Sequence, residues 1–189
     1  MNEKVSIIFI IFSISIIISC KNYIEYADSN FCKNKEITYP NISLILLSNE
    51  KEYNLNLFYA DEKEEYLSGL MCIKKIPEDI DGMLFEYKTE QKSSFWMYET
   101  YIPLTIIYFD NKKESIDLLE MNICRRNNIK SDLEYRKKCS DEAQKYLPSK
   151  SYTFALEIPS NHKYIEEIKS NLKNSLSIEG VQELEELLE

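Results

Sequence analysis

Gly69-Leu70-Met71, Gly82-Met83-Leu84-Phe85, Phe95-Trp96-Met97 and Ile102-Pro103-Leu104 follow one another between Gly69 and Asp110. Together they hold two of the chain's three glycines, its single tryptophan and three of its five methionines. The rest of the chain is rich in Ile, Lys, Asn, Glu and Tyr, so this concentration marks where residue identity matters most. Pro77 and Gly82 punctuate a loop over residues 74–81 that delivers the chain into a strand at residues 83–87. Residues 95–101, 104–109 and 115–123 read as further strands, and Pro103 places an edge, bulge or break between the first two.

Upstream, residues 42–47 form a short apolar run bounded by Pro40-Asn41 and Ser48-Asn49, the pattern of a buried strand. Tyr53, Leu55, Leu57 and Tyr59 alternate with Asn54, Asn56 and Phe58, predicting a second strand hairpinned to the first. Asp61 and Glu64 stand at capping-box spacing and predict a short helix with Tyr66, Leu67 and Leu70 on its apolar face. Downstream, residues 127–151 are polar, with a helix opening at Ser131 and Glu134 and ending before Pro148. Residues 152–158 resume strand character. Ile165, Ile168, Leu172 and Leu176 then recur at helical spacing, and Val181, Leu184, Leu187 and Leu188 predict an acidic C-terminal helix over 181–189. The expected fold is α+β: a compact β-rich single domain over 39–180, with a mainly antiparallel sheet or barrel-like core and short peripheral helices.

The N-terminus reads as a targeting segment rather than as fold. Residues 5–18 are apolar apart from Ser6, Ser13 and Ser15, shorter than the roughly 20 residues a spanning helix needs. Ile17-Ile18-Ser19-Cys20 resembles the bacterial lipobox, which predicts a signal peptide over 1–19, lipidation of Cys20 and a polar tether over 20–38. Acyl chains contribute about 0.8 kcal/mol per buried methylene, enough for two chains to hold a protein on a membrane. The expected location is therefore the periplasmic or surface side of an envelope membrane. Glu3 and Lys4 cancel, so the mature chain keeps the formal net charge of −9. That acidity argues against nucleic acid as a partner and against electrostatic docking on anionic lipid.

An exported location permits disulfides. With Cys20 lipidated, Cys32, Cys72, Cys124 and Cys139 allow three pairings, of which Cys124 with Cys139 is favoured because both flank one polar, irregular segment. His162 is the only histidine and there is no C-x-x-C, which leaves structural zinc with a poor set of ligands. Met71, Met83 and Met97, with Cys72 nearby, would suit a soft ion, but filling gaps in a core accounts for them better. No cofactor is expected, since three glycines cannot build a glycine-rich phosphate loop.

Several motifs now carry a resemblance. Asn54-Leu55-Asn56-Leu57-Phe58-Tyr59-Ala60-Asp61, the four clusters above, Thr100, Phe109-Asp110 and Ala155-Leu156-Glu157-Ile158 resemble, in order, the bacterial family catalogued as domain of unknown function 192. The resemblance spans roughly residues 40 to 180 and implies a compact β-rich domain, often exported, without an established activity. This chain departs from the family pattern at Glu99, where Asn is usual, at Thr105, where Asp is usual, and after the Leu-Glu strand, where Asn161 or a neighbour replaces the usual Gly. A role carried by that Asp does not transfer.

Two functional readings follow. The aromatic cluster, with no activated nucleophile or oxyanion loop beside it, favours a non-catalytic module binding a small molecule or an envelope protein. Its binding face would be Phe95, Trp96, Met97, Glu99, Thr100, Pro103 and Thr105. The other reading is a hydrolase-like enzyme using Glu99 with Thr100 and Thr105. The acidic terminal helix offers a further docking element.

Overall fold

The computed structural model describes residues 24–35, 37–48, 51–171 and 176–182. The apolar leader, Cys20 and residues 183–189 lie outside the described residues. Among those described, no helix is long and apolar enough to cross a membrane.

The alternation read from the sequence builds the first hairpin. Strands β2 (Asn41–Ser48) and β3 (Lys51–Ala60) pair antiparallel from Ser48↔Lys51 to Asn41↔Phe58. Ile42, Leu44 and Leu46 on one, with Tyr53, Leu55 and Leu57 on the other, are buried. A one-residue slip would turn all six toward water, so burial fixes the register. The two-residue strand β1 (Glu25–Tyr26) lies outside this sheet and pairs with β4 (Ile73–Lys75). Helix α1 (Lys63–Ser68) and β4 form a crossover that returns the chain in β5 (Gly82–Gln91), parallel to β3. Strands β6 (Leu104–Phe109), β7 (Ser115–Met121) and β8 (Tyr152–Pro159) add antiparallel partners, and β9 (Ser177–Gln182) pairs with β2.

The result is one mixed seven-stranded sheet in the order β7-β6-β8-β5-β3-β2-β9. It curls until its two edge strands approach. Glu114 bridges Ser177, the Ser115 amide donates to the Leu176 carbonyl at 2.8 Å, and the Ile178 amide donates to the Lys113 carbonyl at 3.1 Å. The contact is too short to close a barrel.

Curling gives the sheet an inner and an outer face. The inner core gathers Leu44, Leu55, Leu84, Ile107 and Leu156, and helix α3 (Ile165–Asn171) adds Ile165 and Ile168. On the outer face Phe58, Met83, Phe85, Ile106, Tyr108 and Ala155 form a second core. It is covered by the end of α1, by residues 92–103 and by helix α2 (Asp132–Ala143), through Leu70, Met97, Tyr98 and Tyr135. Disulfides Cys32–Cys72 and Cys124–Cys139 fasten this cover, closing separations of 40 and 15 residues. In the chain-entropy estimate these are worth about 4 and about 3 kcal/mol. The four described cysteines are all bridged, which leaves no free thiol among the described residues.

Four expectations need correction. Residues 95–101 form no strand: they run irregularly over the outer face, because their apolar side chains reach a sheet already complete beneath them. The described part of the 20–38 stretch is not a free tether. Ala27 and Cys32 are buried, and the Ala27 amide donates to the Cys72 carbonyl at 2.7 Å, so packing begins well before residue 39. Val181 and Gln182, expected in a helix, belong to β9, where pairing with β2 overrides their helical spacing. At α1 the cap lies one residue later than expected, with the Glu65 carboxylate accepting from the Asp61 and Glu62 amides at 3.0 and 3.1 Å.

Candidate functional site

The four sequence clusters converge on the outer face. Gly82 begins β5 where the backbones of β5 and β8 touch: a Cβ there would lie 2.1 Å from the Glu157 carbonyl oxygen. Only glycine allows that approach. Gly69 ends α1 with φ +46°, its amide donating to the Glu65 carbonyl at 2.8 Å and its carbonyl accepting from the Tyr39 hydroxyl at 2.6 Å. A left-handed residue here turns Leu70 and Met71 back onto the sheet.

Between this turn and residues 95–100 lies a narrow cleft of about 30 Å³, walled by Phe85, Phe95, Trp96, Met71 and Thr100. Phe95 meets Phe85 edge-on at 4.9 Å, and Trp96 leans on Tyr98 at 5.1 Å. Arg136 from α2 lies 5.4 Å over the indole. The cleft also reaches the side chain of Glu157 in β8.

Glu157 is 4% exposed, and its carboxyl makes no hydrogen bond among the described residues. Loss of solvent pushes it up to about 8, far above the ordinary carboxylate range. Its charge bears on the hydroxyls of Tyr39, Tyr87 and Tyr108, and burial drives all three well above the ordinary tyrosine range. Among the described residues, no lysine or arginine lines the cleft to offset the buried acid.

The residues singled out from the sequence divide into three groups. Phe95, Trp96 and Thr100 wall the cleft. Met97 is core, and the Pro103 carbonyl accepts from the Ser160 amide at 2.8 Å. Glu99 is buried with φ +50°, and its carboxylate accepts from the Tyr101 hydroxyl at 2.6 Å and from Ser29 Oγ at 3.0 Å. The Glu99 carbonyl accepts from the Cys72 amide at 2.7 Å, so this residue ties the N-terminal segment and its disulfide to the cover.

Thr105 is buried on β6 with Oγ1 unpaired, and strand alternation places it on the inner side, opposite Leu104 and Ile106. Thr100 Oγ1 donates to the Tyr98 carbonyl at 3.3 Å. The structure thus leaves Glu99 and Thr105 on opposite faces and assembles no acid and base pair from them.

Glu157 is the residue that reasoning from sequence missed as a site. A signal was there: residues 154–158 are otherwise uninterrupted by polar groups, as in a strand covered on both faces, so the one acid among them had to be buried.

His162 belongs to a separate cluster. The Tyr164 amide donates to its Nδ1 at 3.3 Å, so Nε2 carries the proton and donates to Asp81 Oδ1 at 2.8 Å. Burial alone would raise the Asp81 carboxyl, but the His162 hydrogen bond and the Asn56 amide, at 2.9 Å, outweigh it and hold it below its ordinary range. With both ring nitrogens engaged, this pair fastens the turn before α3 to the loop before β5.

Fold and cleft together define a small α+β domain with a narrow aromatic-walled cleft on the outer face of its sheet. The chain belongs to the family catalogued as domain of unknown function 192, described as an uncharacterized ACR, whose pattern matches residues 45–171. The fold is shared by a Sinorhizobium meliloti protein provisionally described as a transcription regulator. That likeness has a TM-score of 0.56 at 17% identity and covers 77% of this chain and 98% of that one. A Novosphingobium aromaticivorans protein of unknown function has a TM-score of 0.53 at 16% identity, over 74% of this chain and 85% of its own. At such identities the likeness concerns fold alone. No curated protein matches the chain.

Proposed function

We propose that this chain is an envelope lipoprotein, held on the membrane through lipid at Cys20, whose domain is a non-catalytic binding module with the Glu157 cleft as its ligand site. One observation carries the assignment of the site: an acid only 4% exposed, with no hydrogen bond from the described residues, at a cleft walled by the chain's single tryptophan. A bound group that pairs with it supplies the partner that its surroundings do not. The lipobox-like sequence before Cys20 and the two disulfides support export.

The test compares wild type with Trp96→Leu, purified from membranes and examined by native mass spectrometry and thermal melting. The variant is expected to melt within a few degrees of wild type while losing any copurified small molecule. A variant that only unfolds removes the cleft reading. In the same preparation, Cys20→Ala should leave the membrane fraction; unchanged partitioning removes the lipid anchor.

A further inference from the structure

We propose that the cleft takes a primary ammonium group carried on an unbranched aliphatic chain, with the Glu157 carboxylate as its counter-ion and the rings of Phe85, Phe95 and Trp96 as its walls. The inference rests on the reading of this cleft as the ligand site and adds the chemical class of the ligand.

Three observations lead to it. The first is charge: the cleft holds one carboxyl and no basic side chain, so the group it lacks is a cation. The second is the walls, since aromatic faces attract a cation as well as an alkyl stem. The third is size: about 30 Å³ admits roughly two water-sized groups, enough for an ammonium and its first methylene but too little for a quaternary head. A metal ion fits less well, because no cluster of three or more His, Cys, Asp or Glu stands among the described residues.

The groups facing Glu157 give the proposal its pH signature. Around the acid stand Tyr39 before β2, Tyr87 on β5 and Tyr108 on β6. Tyr66 of α1 lines the cleft, and residues 95–100 present no ionisable side chain to it. All these tyrosines hold their protons far above neutrality, so Glu157 alone titrates there near pH 8. Without ligand the acid is mostly protonated at neutral pH, and an ammonium must displace that proton. Affinity therefore rises with pH up to about 8 by roughly tenfold per unit, and binding releases a proton. A neutral acceptor hydrogen-bonded to the protonated acid would instead bind almost independently of pH below about 8 and weaken above it.

The experiment titrates the full chain with n-butylammonium, following Trp96 fluorescence and, by calorimetry in buffers of different ionisation enthalpy, proton release. Controls are n-butanol, butyramide and n-butyltrimethylammonium. Saturable binding of n-butylammonium is expected, tightening from pH 6 to pH 8. Glu157→Gln, which keeps shape and mimics the protonated acid, should weaken it by about tenfold or more. The trimethyl analogue should be excluded.

A terminal alkyl diamine and Nα-acetyl-lysine methylamide then distinguish a free amine from a lysine side chain as its source. Equal binding of n-butanol or butyramide, an affinity that stays flat or falls from pH 6 to pH 8, or a Glu157→Gln variant that binds as wild type overturns the ammonium while leaving the cleft as a ligand site. If no probe perturbs Trp96 up to about 0.1 M, near the weakest binding expected of so small a ligand, the site reading falls as well.

Discussion

The inner core of the curled sheet and the core on its outer face differ in material. Inside, the buried residues are mostly Leu, Ile and Phe, with tyrosine hydroxyls at the margin: Tyr53 accepts from Asn171 at 3.0 Å and Tyr59 donates to Glu86 at 2.8 Å. Outside, the sheet is covered through Tyr39, Tyr98, Tyr135, Tyr146 and Met97, with the two disulfides and the buried acids Glu99 and Glu157 among them. The inner side is stabilised by aliphatic area removed from water. The outer side is held by hydroxyls bonded to backbone, as where Tyr108 donates to the Tyr146 carbonyl at 2.7 Å and Tyr135 to the Cys124 carbonyl at 2.8 Å. The lesson is a division of labour: one face makes the fold, and the other, with irregular backbone and polar contacts, has room for a site.

The strongest way to break that division is from within. Leu156→Ala opens a cavity in the inner core and should cost about 3 to 5 kcal/mol, read as a lowered urea midpoint with both faces unfolding together. A more local effect should follow from Cys32→Ser with Cys72→Ser. Stability should fall by up to about 4 kcal/mol, and hydrogen exchange should quicken in residues 24–35 and 92–103 while β3, β5 and β8 stay protected. Equal loss of protection in both regions would show that the outer cover does not open on its own.

The third test isolates the buried acid. Because the folded state holds the Glu157 proton to about pH 8 against an ordinary value of 4.5, stability falls as pH rises through that window and levels off above it. Between pH 6 and pH 8 the wild type should lose about 2 kcal/mol that Glu157→Gln keeps, measured by denaturation at each pH. Parallel pH profiles for the two proteins would mean that the acid is solvated.

The inner face was legible because alternation and burial agree there: Leu55 and Leu57 in β3 and the apolar run of β6 point to the same sheet. The outer cover was less so. Phe95-Trp96-Met97 has strand-like composition, but its side chains are apolar because they pack onto a finished sheet, and packing by loops leaves no period. The C-terminus misled for a related reason, since the place of Gln182 opposite Ser43 of β2 comes from a partner far away in sequence. In the site, the aromatic walls were readable as a cluster. For Glu157 the burial was readable but not the place in the site, because the acid lies outside that cluster and only the sheet order, with β8 between β5 and β6, brings it beneath them.

The pairing of Leu46 with Ile178 joins a strand near the start of the domain to one near its end. Contacts so distant in sequence form late, because the intervening chain must lose its freedom before they reward it. The hairpin of β2 and β3 can form as soon as both strands are available, but its outer edge stays open until the last strand arrives. During that interval the unpaired edge of β2 is the surface most exposed to misassociation with a second emerging copy. Delivery of the final residues thus sets the moment at which the domain becomes safe from its neighbours.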